Sequence, residues 1–145
     1  MEKKLNYITL KCKKTNFVSE KITDSQKAFK VIREFYNDDI ELYESMFMLL
    51  LNRANMTIGF CKISQGGTVG TIIDNKIVAK YAIDSLASGV IIAHNHPSGN
   101  LNPSKSDIDI TTKLNSALQL IDTSLLDHLI ITNNDYYSLK DNGIF

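Results

Sequence analysis

Apolar residues along the chain follow two spacings, one typical of strands and one typical of helices. Residues 46–51 and 90–93 are apolar at every position, which is typical of central strands buried on both faces. Alternating or short apolar stretches, bounded by turn residues, predict the remaining strands at residues 5–12, 57–64, 68–73, 129–132 and 136–139. The last two flank Asn133-Asn134-Asp135 and are expected to form a hairpin.

Three other segments repeat apolar residues at helical spacing, namely 24–36, 76–87 and 105–121. Thr23, followed three residues later by Gln26, resembles a capping box that would begin the first of them. The third is the most regular, with a buried stripe predicted at Ile110, Leu114, Ala117, Leu118 and Ile121. Strands that alternate with helices predict an α/β sandwich with a mixed sheet.

The composition is that of one domain. A chain of 145 residues can bury a single core, so we expect one domain over 1–145, with its core at about 40–145 and a strand and helix at 1–39. Basic and acidic side chains number 16 each, so the net charge attracts neither nucleic acid nor an anionic membrane. The lysines crowded before residue 22 favour a solvated edge strand over a nucleic-acid surface, because aromatic residues are not interleaved with them in a stacking pattern.

The lengths of the apolar runs and the spacing of the cysteines indicate the cellular compartment of the protein. The longest apolar run, 46–51, is too short to span a bilayer, and no signal peptide is visible. Cys12 and Cys61 stand alone, which is typical of reduced thiols in a cytoplasmic protein. Because Cys12 shares strand parity with Ile8 and Leu10, we expect it to be buried and unreactive. The sequence therefore predicts a cytoplasmic protein with no membrane segment.

Two histidines follow the buried run at 90–93. They are His94 and His96, and Pro97 after them predicts irregular backbone at that point. Ligands in α/β folds collect outside the carboxyl ends of strands, so the position suits a binding site. Imidazoles are ligands that zinc prefers.

A carboxylate completes the candidate site. Asp107 falls on the buried stripe of the third predicted helix, whereas Asp109 falls nearly opposite. A buried carboxylate is costly unless it is paired or binds a metal, so His94, His96 and Asp107 are candidate zinc ligands. The alternative is that Asp107 serves only to cap the helix together with Ser104.

Three protein ligands leave one tetrahedral position for water, which is typical of a catalytic zinc. Such a site also needs a base that is not bound to the metal. Glu44 is the best-placed acid, because the strand at 46–51 would begin beside His94 if it ran antiparallel to 90–93. Without the histidines, an exposed glutamate at the start of a strand would be the favoured explanation.

The pattern His-x-His-Pro followed by Ser-x-x-Asp resembles the JAMM motif of the JAB/MPN metallopeptidase superfamily. The fuller string, His94 to Gly99 with Pro103-Ser104, is similar to the RadC family. The resemblance covers about residues 40–145, and its other matching segments are 44–52, Gly67-Thr68, Thr111, Leu126-Asp127-His128 and Tyr137-Ser138-Leu139. It implies a three-layer α-β-α sandwich with a mixed sheet, the cytidine-deaminase-like fold of JAB/MPN domains.

The same resemblance implies a role for each site residue. His94, His96 and Asp107 take the places of the zinc ligands, and Glu44 takes the place of the general acid/base. Ser104 matches the serine that helps to stabilise the tetrahedral intermediate, a role compatible with capping the helix. Zn²⁺ is the implied cofactor, and a peptide or isopeptide bond is the implied substrate.

Some positions depart from the family pattern or lie outside the implied site. Fuller RadC proteins carry an N-terminal helix-hairpin-helix region associated with DNA binding, but residues 1–40 contain no Gly-x-Gly hairpin, so contact with nucleic acid is not expected. Lys76 stands where the family commonly has Arg, so a rigid bidentate contact is not expected there. His128 is expected to be structural or to lie behind the ligands, and not to be a fourth ligand.

Three classes of function compete. The leading hypothesis is a zinc metallohydrolase of the RadC family, which is associated with DNA repair. The alternative is a non-enzymatic or weakly active partner module, in DNA repair or mobile-element metabolism, that retains the metal site. Metal-dependent chemistry on nucleic acid is disfavoured, because a zinc deaminase needs His-x-Glu and Pro-Cys-x-x-Cys motifs and an HNH nuclease spreads its signature over a longer stretch. The substrate and the oligomeric state stay open.

Overall fold

A computed structural model describes residues 4–66 and 73–145 of the chain. Its sheet contains β1 (Ser45–Leu51), β2 (Thr57–Gln65), β3 (Gly89–Asn95), β4 (Ser124–Ile131) and β5 (Tyr136–Ser138). Its helices are α1 (Ser25–Arg33), α2 (Asn75–Asp84) and α3 (Lys105–Gln119), with a short 3₁₀ helix at Asp38–Glu41.

The five strands form one mixed sheet in the order β2-β1-β3-β4-β5. β3 and β4 run parallel, and every other neighbouring pair is antiparallel. The predicted antiparallel pairing of β1 with β3 is confirmed, with Met46 opposite His94. The predicted hairpin at the end of the chain is also confirmed, because β4 pairs with β5.

Helices cover both faces of the sheet. Ala28 and Ile32 of α1 pack on one face, against alternate residues of β1, β3 and β4. On the other face, Val78 of α2 and Leu114 and Leu118 of α3 pack against the remaining alternate residues of β1 and β3. The mixed sheet predicted from the apolar pattern, and the three-layer α-β-α sandwich implied by the family resemblance, are therefore confirmed.

The predicted strand at 5–12 is wrong. The structure has no strand there, and these residues are exposed. Leu5 and Tyr7 have one strand parity, whereas Ile8 and Leu10 have the other, so no register buries all four on one face. Cys12 is consequently exposed, and the prediction that it is buried is also wrong.

The first helix begins one residue later than a Thr23 cap would require. Asp24 is the N-cap, and its Oδ1 accepts a hydrogen bond of 2.8 Å from the Lys27 backbone N–H. Thr23 instead donates its hydroxyl hydrogen bond to Asp24 Oδ2 over 2.7 Å. Aspartate at the N-cap also suits the positive end of the helix dipole.

The predicted strand at 68–73 falls outside the described residues, except for its last position, Ile73, which is not in a strand. Lys76 is exposed in the first turn of α2, and its backbone N–H donates to Asp74.

Candidate metal centre

The two motif histidines meet at the carboxyl end of β3. His94 lies on the strand, and His96 follows it by two positions, so both side chains leave the chain on the same side. Their Nε2 atoms are 2.9 Å apart. The His94 side chain is 1% exposed and that of His96 is 17% exposed. The His94 ring is therefore buried, whereas solvent reaches the His96 ring.

The turn after His96 holds the His96 ring in place. Gly99 has a φ of 81°, which glycine adopts without strain, and its N–H donates to the His96 carbonyl. The turn brings the Asn100 carbonyl to 2.5 Å from His96 Nδ1. A carbonyl only accepts, so Nδ1 of His96 carries a proton, and in the neutral ring this leaves the lone pair on Nε2.

Asp107 joins the histidines from the first turn of α3. Its Oδ1 is 3.3 Å from His94 Nε2, and its Oδ2 is 3.7 Å from His96 Nε2. Donor atoms at tetrahedral zinc bond lengths are separated by about 3.3 Å, so each of these contacts is close to the spacing of two ligands on one ion. The structure thus brings Asp107 beside both histidines, and its role as a zinc ligand stays a prediction.

Asp107 also caps its own helix. Its Oδ2 accepts a hydrogen bond of 2.7 Å from the Ser104 backbone N–H, and Ser104 Oγ accepts one of 3.1 Å from the Asp107 backbone N–H. The two explanations weighed from the sequence are therefore compatible, because one carboxylate caps the helix and faces the histidines. For Ser104 the structure shows the capping contact, and a role with an intermediate stays a prediction.

Charge and hydrogen bonds keep Asp107 ionised. Burial raises the pKa of the Asp107 carboxyl. The hydrogen bond and charge of His94 and the two contacts with Ser104 lower this pKa by more than burial raises it, so it lies well below its ordinary value of 3.8. An ionised carboxylate is the form that binds a metal ion.

Glu44 approaches the same point from β1. One ligand atom from each of Glu44, His94 and His96 lies within 4.8 Å of the other two, and these three residues could hold a metal ion. Glu44 directly precedes β1, whose Met46 is paired with His94. The antiparallel register therefore delivers the glutamate to the histidines, as the sequence predicts.

Asn95, which lies between the two histidines, fastens the segment that carries Glu44. Its amide nitrogen donates to the carbonyls of Ile40 (2.6 Å) and Tyr43 (2.7 Å), and its amide oxygen accepts from the Ser45 N–H (2.7 Å). Asn95 is completely buried, so no water competes for these three bonds. Sequence reasoning missed this role, which its position inside the His-x-His pair could have suggested.

His128 is the other residue at the site that sequence reasoning left undefined. Its Nε2 lies 2.8 Å from His94 Nδ1, and its Nδ1 lies 2.6 Å from Thr111 Oγ1. Burial, with the charge of His94, lowers the pKa of this fully buried imidazole well below its ordinary value. His128 therefore lies behind His94 as a neutral ring, which agrees with the prediction that it is not a fourth ligand.

The donor set fits a divalent metal ion. Two imidazole nitrogens and a carboxylate oxygen are all electron-pair donors, and such atoms can face each other at 2.9–3.7 Å only around a proton or a cation. Zinc is one of the divalent ions that bind such a set of nitrogen and oxygen ligands.

In the part of the chain that the structure describes, no helix has the length and apolarity needed to cross a membrane.

Comparison with known proteins gives one consistent family. The family model described as RadC-like JAB domain matches residues 22–144. A UPF0758 protein of Flavobacterium johnsoniae is 44% identical over 127 residues, which cover 87% of this chain and 54% of that protein. A UPF0758 protein of Porphyromonas gingivalis is 40% identical over 126 residues, covering 86% and 55% respectively. The chain thus spans about half the length of these curated relatives.

Proposed function

Because the chain belongs to the family of RadC-like JAB domains, we propose that it is a zinc-dependent hydrolase that cleaves peptide or isopeptide bonds. The observation that supports the proposal most strongly is the convergence of His94, His96 and Asp107, with spacings of 2.9, 3.3 and 3.7 Å. Glu44 beside them supplies the further carboxylate that a hydrolytic site needs.

His94, His96 and Asp107 would hold the zinc ion. A zinc ion bound there would acidify water toward neutral pH and polarise the carbonyl of a substrate amide. The histidines would bind the ion through Nε2, because the Nδ1 atom of His96 donates to the Asn100 carbonyl and that of His94 faces His128. His96 (17% exposed) and Asp107 (13% exposed) are both partly accessible, so solvent reaches this edge of the site.

Glu44 would be the general acid/base. Its carboxylate lies within 4.8 Å of a nitrogen of each histidine, so it is close enough to act on a water molecule bound at the site. In the hydrolysis, Glu44 would take a proton from that water and deliver it to the leaving nitrogen. The amide of Asn95 holds the preceding segment at the Ile40 and Tyr43 carbonyls and so limits the movement of this carboxylate.

Ser104 would support the oxygen of the substrate carbonyl. It occupies the N-cap of α3, where the helix dipole favours negative charge, and it contacts Asp107 directly. A hydroxyl at this position can donate a hydrogen bond while its oxygen continues to accept from the Asp107 N–H.

The test compares two glutamate variants against a panel of peptide and isopeptide-linked substrates. Glu44→Gln removes the base but keeps the shape, so we expect zinc content to stay at the wild-type level and turnover to fall by about 10²–10⁴-fold. Glu41→Gln is the matched control, because Glu41 is an exposed residue of the same segment. Retained turnover in Glu44→Gln would remove Glu44 from the mechanism. Full zinc content with no turnover of any substrate would favour a partner module instead of an enzyme.

A further inference from the structure

A chain of hydrogen-bonding groups runs behind His94 through the buried interior. It starts at the Asp107 backbone carbonyl, passes through the Thr111 hydroxyl at 2.6 Å and the His128 ring at 2.6 Å, and ends at His94 Nδ1 over 2.8 Å. Thr111 and His128 are completely buried and His94 is almost so, which shields the chain from water. We refer to Thr111, His128 and His94 together as the relay.

The relay can be polarised in either of two directions. In the first, Thr111 donates to the Asp107 carbonyl and accepts from His128 Nδ1–H, so His128 Nε2 accepts from His94 Nδ1–H. In the second, Thr111 donates to His128, and each ring proton moves to the other nitrogen. A neutral imidazole carries one donor and one acceptor, so both ring tautomers must change together.

Only the first direction is compatible with a metal ion. It places the proton of His94 on Nδ1 and leaves a lone pair on Nε2, the atom that lies 2.9 Å from His96 and 3.3 Å from Asp107. The second direction would place a proton on Nε2, between His94 and the carboxylate, and would block coordination.

Resting on the proposed zinc site, we propose that Thr111 and His128 are positioning residues that fix His94 in the Nδ1–H tautomer and so present its Nε2 to the metal. Metal-bound histidines usually donate their other N–H to a carboxylate, a backbone carbonyl or water. Here the acceptor is a second histidine, His128. The tautomer of His128 is set in turn by the hydroxyl of Thr111, which lies on α3 one turn after Asp107.

The first test replaces His128 in two ways, with zinc affinity measured by competition against a chromophoric chelator. His128→Leu fills the space but offers no acceptor to His94, so zinc binding should weaken by about 10–100-fold. His128→Gln offers an amide oxygen to His94 and an amide N–H to Thr111, so it should restore most of the lost affinity. A folded His128→Leu variant that binds zinc as tightly as the wild type would overturn the proposal.

The second test uses Thr111, in case a change at His128 prevents folding. Thr111→Val keeps the volume but removes the hydroxyl, whereas Thr111→Ser keeps the hydroxyl. We expect weaker zinc binding in Thr111→Val than in Thr111→Ser, with both variants folded when metal-free, as checked by thermal unfolding. Equal affinities in the two variants would contradict a role for the hydroxyl.

The third measurement reads the tautomers directly. Long-range ¹H–¹⁵N correlation spectra of the zinc-loaded wild type should show His128 protonated on Nδ1, and a proton on Nε2 would overturn the proposal. A merely structural role for His128 does not predict either tautomer. Failure of the wild type to bind zinc at all is a separate result, which would overturn the proposed function and this inference with it.

Discussion

The carboxylate of Asp107 caps its own helix and also faces the histidines. One oxygen accepts from the Ser104 N–H at the start of α3, and the other lies 3.3 Å from His94 Nε2. Its place on the buried stripe was enough to separate it from Asp109, which is exposed. The sequence could not show that one side chain makes both the capping contact and the contact with His94, because that depends on how closely α3 approaches the end of β3.

Asp107 should make the stability of the metal-free protein depend on pH. Its folded-state pKa lies below the ordinary value of 3.8, so its contribution is fully present above about pH 4 and is lost as pH falls below that value. We therefore expect the stability advantage of the wild type over Asp107→Asn to be present at pH 5 and to shrink as the pH falls below 4. Urea unfolding over this range measures it.

The control for that experiment is Asp109→Asn, which alters an exposed carboxylate on the same helix. An advantage over Asp107→Asn that stays constant down to pH 2 would show that the folded protein does not favour the ionised form of Asp107.

The two thiols should differ in reactivity. Cys12 is exposed, whereas burial raises the pKa of the Cys61 thiol to about 12, so little thiolate forms there at neutral pH. We expect one fast-reacting thiol per native chain toward a disulfide reagent at pH 8, and two after unfolding. Cys12→Ser should abolish the fast reaction, and a fast phase that persists in this variant would contradict the assignment.

At the scale of the elements, the site depends on the register of β1 against β3. Two fully apolar runs were enough to predict both strands, and their antiparallel pairing places Glu44 beside His94. The strand expected at 5–12 failed because its apolar residues change parity between Tyr7 and Ile8. The two unbroken apolar runs therefore predicted the central strands, whereas mixed patterns predicted the edge strand β2 correctly and a strand at 5–12 wrongly.

Asn95 should be the strongest single link between β3 and the segment before β1. Asn95→Ala leaves the Ile40 and Tyr43 carbonyls and the Ser45 N–H without their buried partner, so we expect the free energy of unfolding to fall by about 2–4 kcal/mol. Urea unfolding of the metal-free protein measures it. Asn102→Ala changes an exposed asparagine near the same site and is the control. Equal losses in the two variants would show that Asn95 does not hold this segment.

At the scale of the whole molecule, the candidate site joins parts of the chain that are distant in sequence. β3 supplies His94, α3 supplies Asp107, the segment before β1 supplies Glu44, and β4 supplies His128. Local spacing could identify the members that lie within one motif. It could not reveal the contact of Thr111 with His128, which needs α3 packed against β4, or the three bonds of Asn95, which cross from β3 to the 3₁₀ helix.

We expect one metal ion to be held by side chains from β3, from the turn that follows it and from α3. Elemental analysis of the purified protein, after reconstitution with zinc at neutral pH, tests it most directly when His94→Ala and Asp107→Ala are measured beside the wild type. We expect one zinc ion per wild-type chain and loss of the ion in both variants. Wild-type protein without zinc, or variants that retain a full equivalent, would contradict it.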